Sequence, residues 1–351
     1  MMRLLCLGDI AIAGDLPSAW PVPECINPLN SDQQILFNWE VPIGETLNPR
    51  PRPGGGPRII TTPNSIQAIQ NWSPGGIASL STNHILDAGI EGLTKTLHML
   101  QEHGFRTIGT GITKTEISMP FVWETGEGRL GIVNWVFPET HPEWNSIPGP
   151  NYWPGFDAAK LIIRDLKTKV DWILAVLHWS DEEFSYPSPE DRETADKLVQ
   201  MGVDLIIGHH PHVVRGVEII QGSPVFYSLG NFFFSNFRDA SGKSLSHQAP
   251  RNREDLGVEL IFTKDDKPTY QLHSFLQTKY GYILDPLQRA NRRVRSVSSP
   301  LVKFQGTSYK NWYLQKRRVF DKVGIRLHFR LWHLGLNGLL RLMAKKLHFL
   351  S

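Results

Sequence analysis

The chain is poor in cysteine: its 351 residues hold two, Cys6 and Cys25. Two cysteines without a framework spacing do not make a disulfide scaffold, so a reducing compartment is favoured. Long apolar runs are missing too. No stretch approaches the ~20 apolar residues that a membrane-spanning helix needs. The N-terminal run "MMRLLCLGDI" is cut by Gly8 and Asp9, too early for the apolar core of a secretory signal. The expected location is cytoplasmic, with a peripheral position at the inner face of the membrane as the alternative. No internal repeat is present. Acids are scarce at one end: residues 287–351 carry 15 Lys and Arg against one acid, Asp321, whereas the other 286 residues hold 22 bases and 33 acids. The formal charge of +3 therefore hides an acidic body and a basic tail, and basic tails meet anionic surfaces.

What is present is a core-forming composition, 40% hydrophobic, punctuated by 30 Gly and 25 Pro. Short apolar runs alternate with amphipathic ones from residue 4 to 235. "LLCLGD" (4–9), "ILFNWE" (35–40), "GIASLSTNH" (76–84), "RLGIVNWVF" (129–137), "DWILAVLHW" (171–179), "VDLIIGHH" (203–210) and "SPVFYSLGNF" (223–232) read as strands. "ILDAGIEGLTKTLHMLQEHG" reads as a helix closed by Gly104. "SPEDRETADKLVQMG" reads as a helix with Ser188 as N-cap, Pro189 at its first position and acids in its first turn. The alternation predicts an α/β sandwich. "NPRPRPGGGPR" (48–58) has too much Pro and Gly for regular structure. It is either a flexible linker or a mobile flap whose Arg50, Arg52 and Arg58 touch an anion. Composition places a boundary after residue 286, with a body at 1–286 and a basic, partly amphipathic helical extension at 287–351. "RANRRVRSVSS" (289–299) is expected to be exposed. Residues 316–350 can lie on an anionic membrane surface or pack against the body or a partner. Nucleic acid is the weaker option.

The polar residues at the strand ends share one chemistry. Asp9, Asn38, Glu40, Asn83, His84, His178, Glu182 and the cluster His209, His210 and His212 each follow an apolar, strand-like run. In an α/β sheet the strand C-termini converge on one edge, where ligands bind. Carboxylate, amide oxygen and neutral imidazole form a donor set for a divalent metal. Singly, each has a bland explanation: Asp9 as a turn acid, Glu40 as a loop acid, His178 as a core histidine, Asn83-His84 as a helix cap. Three histidines around Pro211 are harder to explain without a metal or catalytic role.

These stretches resemble the CapA-type proteins, named for poly-γ-glutamate capsule synthesis, within the calcineurin-like metallophosphoesterase superfamily. The matching segments are "GDIAIAG" (8–14), "NWEVPI" (38–43), "STNHILDAG" (81–89), "GTG" (109–111), "LHWSDEE" (177–183), "GVDLIIGHHPHVV" (202–214) and "YSLGNFFF" (227–234), in the family's order. The resemblance implies a four-layer α/β/β/α sandwich with a metal site among the loops of two sheets. It makes Asp9 the acidic ligand of the first strand and Glu40 a metal-bridging carboxylate. Asn83 becomes an amide ligand and His178 a further ligand. Two of the last three imidazoles should join them, His212 with His209 or His210. His84, beside Asn83, matches the residue that protonates the leaving group in phosphoesterases, so His84 and Asp9 are the catalytic candidates. Asn38, Asp87, Glu182 and Asn231 are candidates for supporting or substrate contacts.

Three departures stand out. The superfamily's Asp-x-His is Asp9-Ile10-Ala11 here, a loss that Glu182 or Asp15 can compensate. "HWG" has become "HWS" at Ser180, and "NNH" has become "TNH" at Thr82. The implied cofactor is one or two divalent ions (Mn, Zn, Fe or Mg). The implied activity is phosphoester hydrolysis on a phosphorylated or anionic polymer substrate, lost as pH falls through the histidine range because ligating imidazoles must be neutral. The rival expectations are a component of a γ-glutamyl polymer synthesis complex and a metal-stabilised, non-enzymatic adaptor held at a membrane by the tail.

Overall fold

The computed structural model describes residues 1–13, 33–48, 52–69, 76–143, 146–238, 244–246, 248–278 and 281–321. Asp15, Cys25, Arg50 and residues 322–351, which include most of the amphipathic tail, lie outside the described residues. Two compact units form, Met1–Val302 and Lys303–Ser351.

In the larger unit, β1 (Met2–Ala11), β2 (Gln33–Trp39), β3 (Ile77–Ser79) and β4 (Arg106–Ile108) are parallel neighbours in that order, and α1 (Gly89–Glu102) connects β3 to β4. A short ribbon pairs β5 (Thr110–Gly111) with a later strand, and α2 (Lys114–Ser118) follows it. The second sheet begins with β6 (Phe121–Thr125) and β7 (Gly128–Val136); β8 (Gly149–Pro150) completes the ribbon with β5. Helix α3 (Phe156–Lys167), strand β9 (Trp172–His178), helix α4 (Pro189–Met201) and strand β10 (Leu205–His209) come next, then β11 (Val217–Ile220) and β12 (Ser223–Phe226). The order is β11-β12-β10-β9-β7-β6, with a parallel centre and antiparallel edges. The chain then returns to the first sheet through β13 (Asn231–Phe234), β14 (Glu254–Phe262), β15 (Thr269–Thr278) and β16 (Gly281–Leu284).

The period of two along β1 explains the layers. Leu4 and Cys6 point into a core shared with Leu130, Leu174, Val176, Ile207 and Phe226 of the second sheet. Leu5 and Leu7 point the other way, into a core with Leu93 and Leu100 of α1. On the far side of the second sheet α3 buries Ala159, Ile163 and Leu166, and Gly131 of β7 leaves room for Leu166. The result is the expected four-layer α/β/β/α sandwich. Both expected helix ends form: α4 has Ser188 accepting from the Asp191 N–H in a capping box, and Gly104 adopts φ +82° after α1.

Two readings of the sequence change. "SPVFYSLGNF" is not one strand. Its halves, β12 and β13, belong to different sheets, and the chain crosses between them at Tyr227–Gly230, where Gly230 has φ +85°. An unbroken apolar run conceals such a crossing because both halves are buried. The boundary also moves: the larger unit runs to Val302, not to 286. Residues 289–303 form α5 (Arg289–Lys303), which buries Ala290, Val294, Val297 and Leu301 rather than being exposed throughout. Ala290 and Val294 join the core between the sheets, and Arg293 pairs with Glu254 of β14 at 2.6 and 2.8 Å. The smaller unit contains α6 (Gly306–Phe320). Among the described residues no helix is long and apolar enough to cross a membrane.

Candidate metal centre

Parallel strands of both sheets end at one place. On the first sheet Asp9 is in register with Asn38 of β2 and Asn231 of β13. On the second, His178 and His209 are register partners at the ends of β9 and β10. Gly8 lets the strand ends close up: a Cβ there would lie 2.2 Å from the Gly230 carbonyl oxygen and 2.4 Å from Asp255 Oδ1. The Asp9 N–H donates to that same carbonyl at 2.9 Å.

Asp9 is fully buried and saturated with donors. Oδ1 accepts from Asn38 Nδ2 at 2.9 Å and faces His209 Nδ1 at 3.0 Å; Oδ2 accepts the His210 backbone N–H at 3.1 Å. Burial opposes ionisation of Asp9, but His209 and His212 outweigh it and hold the carboxyl far below its usual range. Glu40 is the opposite case. It too is fully buried, yet neither carboxylate oxygen has a hydrogen-bond partner among the described residues. Burial, with Asp9 and Glu182 adding to it, pushes its carboxyl well above the usual range against the pull of His212 and Arg52.

Two donor groups share Glu40. One is Asp9, Glu40 and His212; the other is Glu40, His178 and His210; in each, one ligand atom per residue lies within 4.8 Å of the others. Asn83 Oδ1 adjoins the second group, 3.0 Å from His178 Nε2. A third group, His210, His212 and Glu182, opens towards solvent; Glu182 Oε1 is 4.0 Å from His210 Nε2. Burial holds His178 and His210 well below the ordinary imidazole value. For His212, burial is outweighed by Glu40 and Asp9, which raise it well above that value. A buried carboxylate without hydrogen bonds among the described residues, ringed by the His178, His210 and His212 imidazoles and an amide, suits a borderline divalent cation, so the residues fit the implied group.

His210 and His212 both have positive φ, +93° and +58°, so the backbone around Pro211 is wound to turn both rings inward. His209 faces Asp9 instead, and its buried Nε2 has no hydrogen-bond partner among the described residues. Asn231 Oδ1 lies 2.9 Å from His212 Nδ1, and the Asn231 amide donates to Gln248 at 2.9 Å, which aims His212 Nε2 at Glu40 Oε1, 3.5 Å away. Asn38 also faces His178 Nδ1 at 3.5 Å.

His84 stands beside this cluster. Its Nδ1 is 2.5 Å from Asp87 Oδ2, an oxygen that also accepts the Ile59 N–H at 2.8 Å, while Asp87 Oδ1 accepts from Arg58 at 3.1 Å. Burial, partly offset by Asp87, lowers the His84 pKa. The Thr82 hydroxyl donates to the Glu40 carbonyl at 2.7 Å, so this departure helps seat Glu40. Ser180 sits at φ +74°, where glycine is the low-strain residue. Its hydroxyl is fixed 2.5 Å from Asp191 and is also bonded to the buried Arg215. Arg215, Asp191 and Gln248 escape a reading of the sequence; the only available signal is an arginine three residues after His212.

The sequence profile described as "Bacterial capsule synthesis protein PGA_cap" matches residues 3–236. The chain belongs to this family. Relatives include the PGA biosynthesis protein CapA of Bacillus subtilis (27% identical over 163 residues, 45% of this chain and 42% of the relative) and the capsule biosynthesis protein CapA of Bacillus anthracis (28% over 165 residues, 45% and 40%). A probable polyglutamine synthesis accessory protein of Mycobacterium tuberculosis is 28% identical over 182 residues, 48% and 47%. The chain thus spans about half or less of these relatives' length. Among solved structures, a putative 5'-nucleotidase from Staphylococcus aureus aligns at 12% identity with a TM-score of 0.42, covering 84% of this chain and 58% of that one. The NAD nucleotidase of Haemophilus influenzae aligns at 12% and 0.39, covering 92% and 60%. The family match contains every residue of the strand-end set, from Asp9 to Asn231.

Proposed function

We infer that the chain is a metal-dependent phosphoester hydrolase whose divalent ions are held by Asp9, Glu40, Asn83, His178, His210 and His212. The observation that carries this reading is Glu40: two buried oxygens without hydrogen bonds among the described residues, shared by two donor groups. A bound divalent ion supplies Lewis acidity there, activating water and neutralising charge on the ester oxygens. The rest is the chain's own work. Asp87, anchored by Arg58 and the Ile59 N–H, fixes the His84 ring and its tautomer. Because Asp87 holds the Nδ1–H, His84 has to take up a second proton at Nε2, as the imidazolium, before that proton passes to the leaving oxygen. Asn231 orients His212.

The test is turnover of an aryl phosphomonoester and an aryl phosphodiester by the purified, Mn-loaded chain, with metal content measured on the same sample. Hydrolysis that disappears on chelation and returns with metal supports the reading; a metal-loaded chain inert on both removes it. His178→Ala is expected to abolish binding at the Glu40–His178–His210 group with an unchanged far-ultraviolet spectrum, and unchanged metal stoichiometry would refute the assignment. His84→Gln is expected to lower kcat by about 10²–10⁴ with metal content intact. A matching fall in metal content would make His84 a ligand instead.

The capsule family supports a second reading, a component of poly-γ-glutamate synthesis in which the same site binds an acyl phosphate or carboxylate and turnover needs partner subunits. Full metal occupancy without aryl ester hydrolysis favours it.

A further inference from the structure

The run Pro53-Gly54-Gly55-Gly56 forms a defined turn. The Gly55 N–H donates to the Arg52 carbonyl at 3.1 Å, and Gly54, Gly55 and Gly56 have φ of +71°, +79° and +84°. Three consecutive left-handed residues require glycine. Gly54 also lies against the His141 ring, where a Cβ would come within 2.2 Å of Cγ. The turn folds the chain over its own first side chain: Arg52 donates to the Pro57 carbonyl at 3.1 Å and the Asn83 carbonyl at 3.5 Å, and is only 8% exposed.

Arg52 differs from its neighbour Arg58. Arg58 is ion-paired to both Asp87 and Glu143, so its charge is used in holding the His84 partner. Arg52 Nε is buried and has no hydrogen-bond partner among the described residues; its nearest carboxylate oxygen, on Asp87, is 4.0 Å away. Its charge is felt by both Glu40 and His84. A buried guanidinium with an unused donor, held on the carbonyl of the candidate ligand Asn83 and 4.0 Å from Asp87, the partner of His84, matches an incoming oxyanion in charge.

The geometry points to Arg52 as a specificity-determining residue that binds a phosphoryl oxyanion of the substrate, with the Gly54–Gly56 turn as the device that presents it. This rests on the hydrolase reading for its location but has its own readout. The site takes a phosphate monoester or diester group; a carboxylate polymer would offer a related oxyanion, and the two are separated by the probe.

The experiment is calorimetric titration of the full, Mn-loaded chain with inorganic phosphate and, separately, with glutarate, alongside elemental analysis. Phosphate is expected to bind more tightly than glutarate. Arg52→Gln is expected to weaken phosphate binding at least ~10-fold with metal content unchanged. Arg52→Lys, which keeps the charge but loses the planar fork, should fall between. Equal phosphate affinity in Arg52→Gln, no phosphate binding by the unaltered chain, or tighter binding of glutarate overturns the assignment. Arg52-dependent phosphate binding in a chain that hydrolyses no ester supports this assignment while removing the hydrolase reading.

Discussion

Glu40→Gln is expected to cut metal affinity by at least ~100-fold and, in the metal-free chain, to raise thermal stability. The two effects have one origin. Glu40 places a carboxylate in a fully buried position where neither oxygen has a hydrogen-bond partner among the described residues and where Asp9 and Glu182 repel it. Without a cation such a group costs about 1–3 kcal/mol in desolvation, and an isosteric amide, which cannot ionise, relieves the part of it that comes from Asp9 and Glu182. For a unit of this size 1 kcal/mol corresponds to roughly 2 °C in Tm. With a cation the sign reverses. The shared carboxylate is the only negative charge common to the Asp9–Glu40–His212 and Glu40–His178–His210 groups, and losing a ligand should cost more than the ~10–100-fold typical of residues that merely orient ligands. The melting order of the wild-type and Glu40→Gln chains should therefore invert on adding Mn. A variant that takes up Mn with wild-type affinity, or a metal-free variant that melts lower, defeats the shared-carboxylate account.

How much of the fold and the site is legible in the sequence depends on what a linear pattern can register. Strand-end donors are local signals: an apolar run that stops at Asp9, Glu40 or His178 announces both a buried strand and an unusual terminus. The helix over Pro189–Met201 is equally plain, because Ser188, Pro189 and Gly202 mark its ends. Contacts made by switching sheets leave no such mark. Asn231 reaches Asp9 because the chain leaves the second sheet after Phe226 and re-enters the first at β13, and nothing in "SPVFYSLGNF" signals that change. The three histidines look equivalent in sequence. Only backbone dihedrals distinguish them, turning His210 and His212 towards the Glu40 groups and leaving His209 on Asp9. Composition misleads at 287–302, where four apolar positions at helical spacing outweigh the basic residues between them. At 53–56 composition registers only the absence of helix and strand, whereas Gly54, Gly55 and Gly56 share one left-handed turn.

Arg215→Ala is expected to destabilise the larger unit by about 3–5 kcal/mol, roughly 6–10 °C in Tm, while leaving metal content close to wild type. Arg215 is 1% exposed. Its Nε donates to the Phe184 carbonyl at 2.9 Å, one terminal nitrogen to the Asp181 carbonyl at 2.7 Å, and the other to the Ser180 hydroxyl and, at 3.4 Å, to Asp191. One guanidinium thus ties down the 180–184 segment and neutralises a buried carboxylate. Truncation removes the cation beside Asp191, which burial already pushes above its usual range against the pull of Arg215, and takes a donor from the Asp181 and Phe184 carbonyls. The candidate ligands Asp9, Glu40 and His178 do not sit on this segment, which meets the loop of His210 and His212 through the Glu183 N–H, donating to the Pro211 carbonyl at 2.9 Å. Glu182 is not spared: it rides on the segment beside His210, so kcat should fall with little change in metal affinity. A double-mutant cycle separates the terms. If the penalty is an uncompensated charge, Asp191→Asn in the Arg215→Ala background should recover about half of the lost stability, whereas Asp191→Asn alone should be destabilising. An Arg215→Ala variant within ~0.5 kcal/mol of wild type, measured by urea unfolding, would mean that Ser180 and Ser188 satisfy Asp191 without the arginine. The positive φ of Ser180 would then be held by its hydroxyl contact with Asp191 and by its N–H, which donates to Glu139 Oε1 at 3.0 Å.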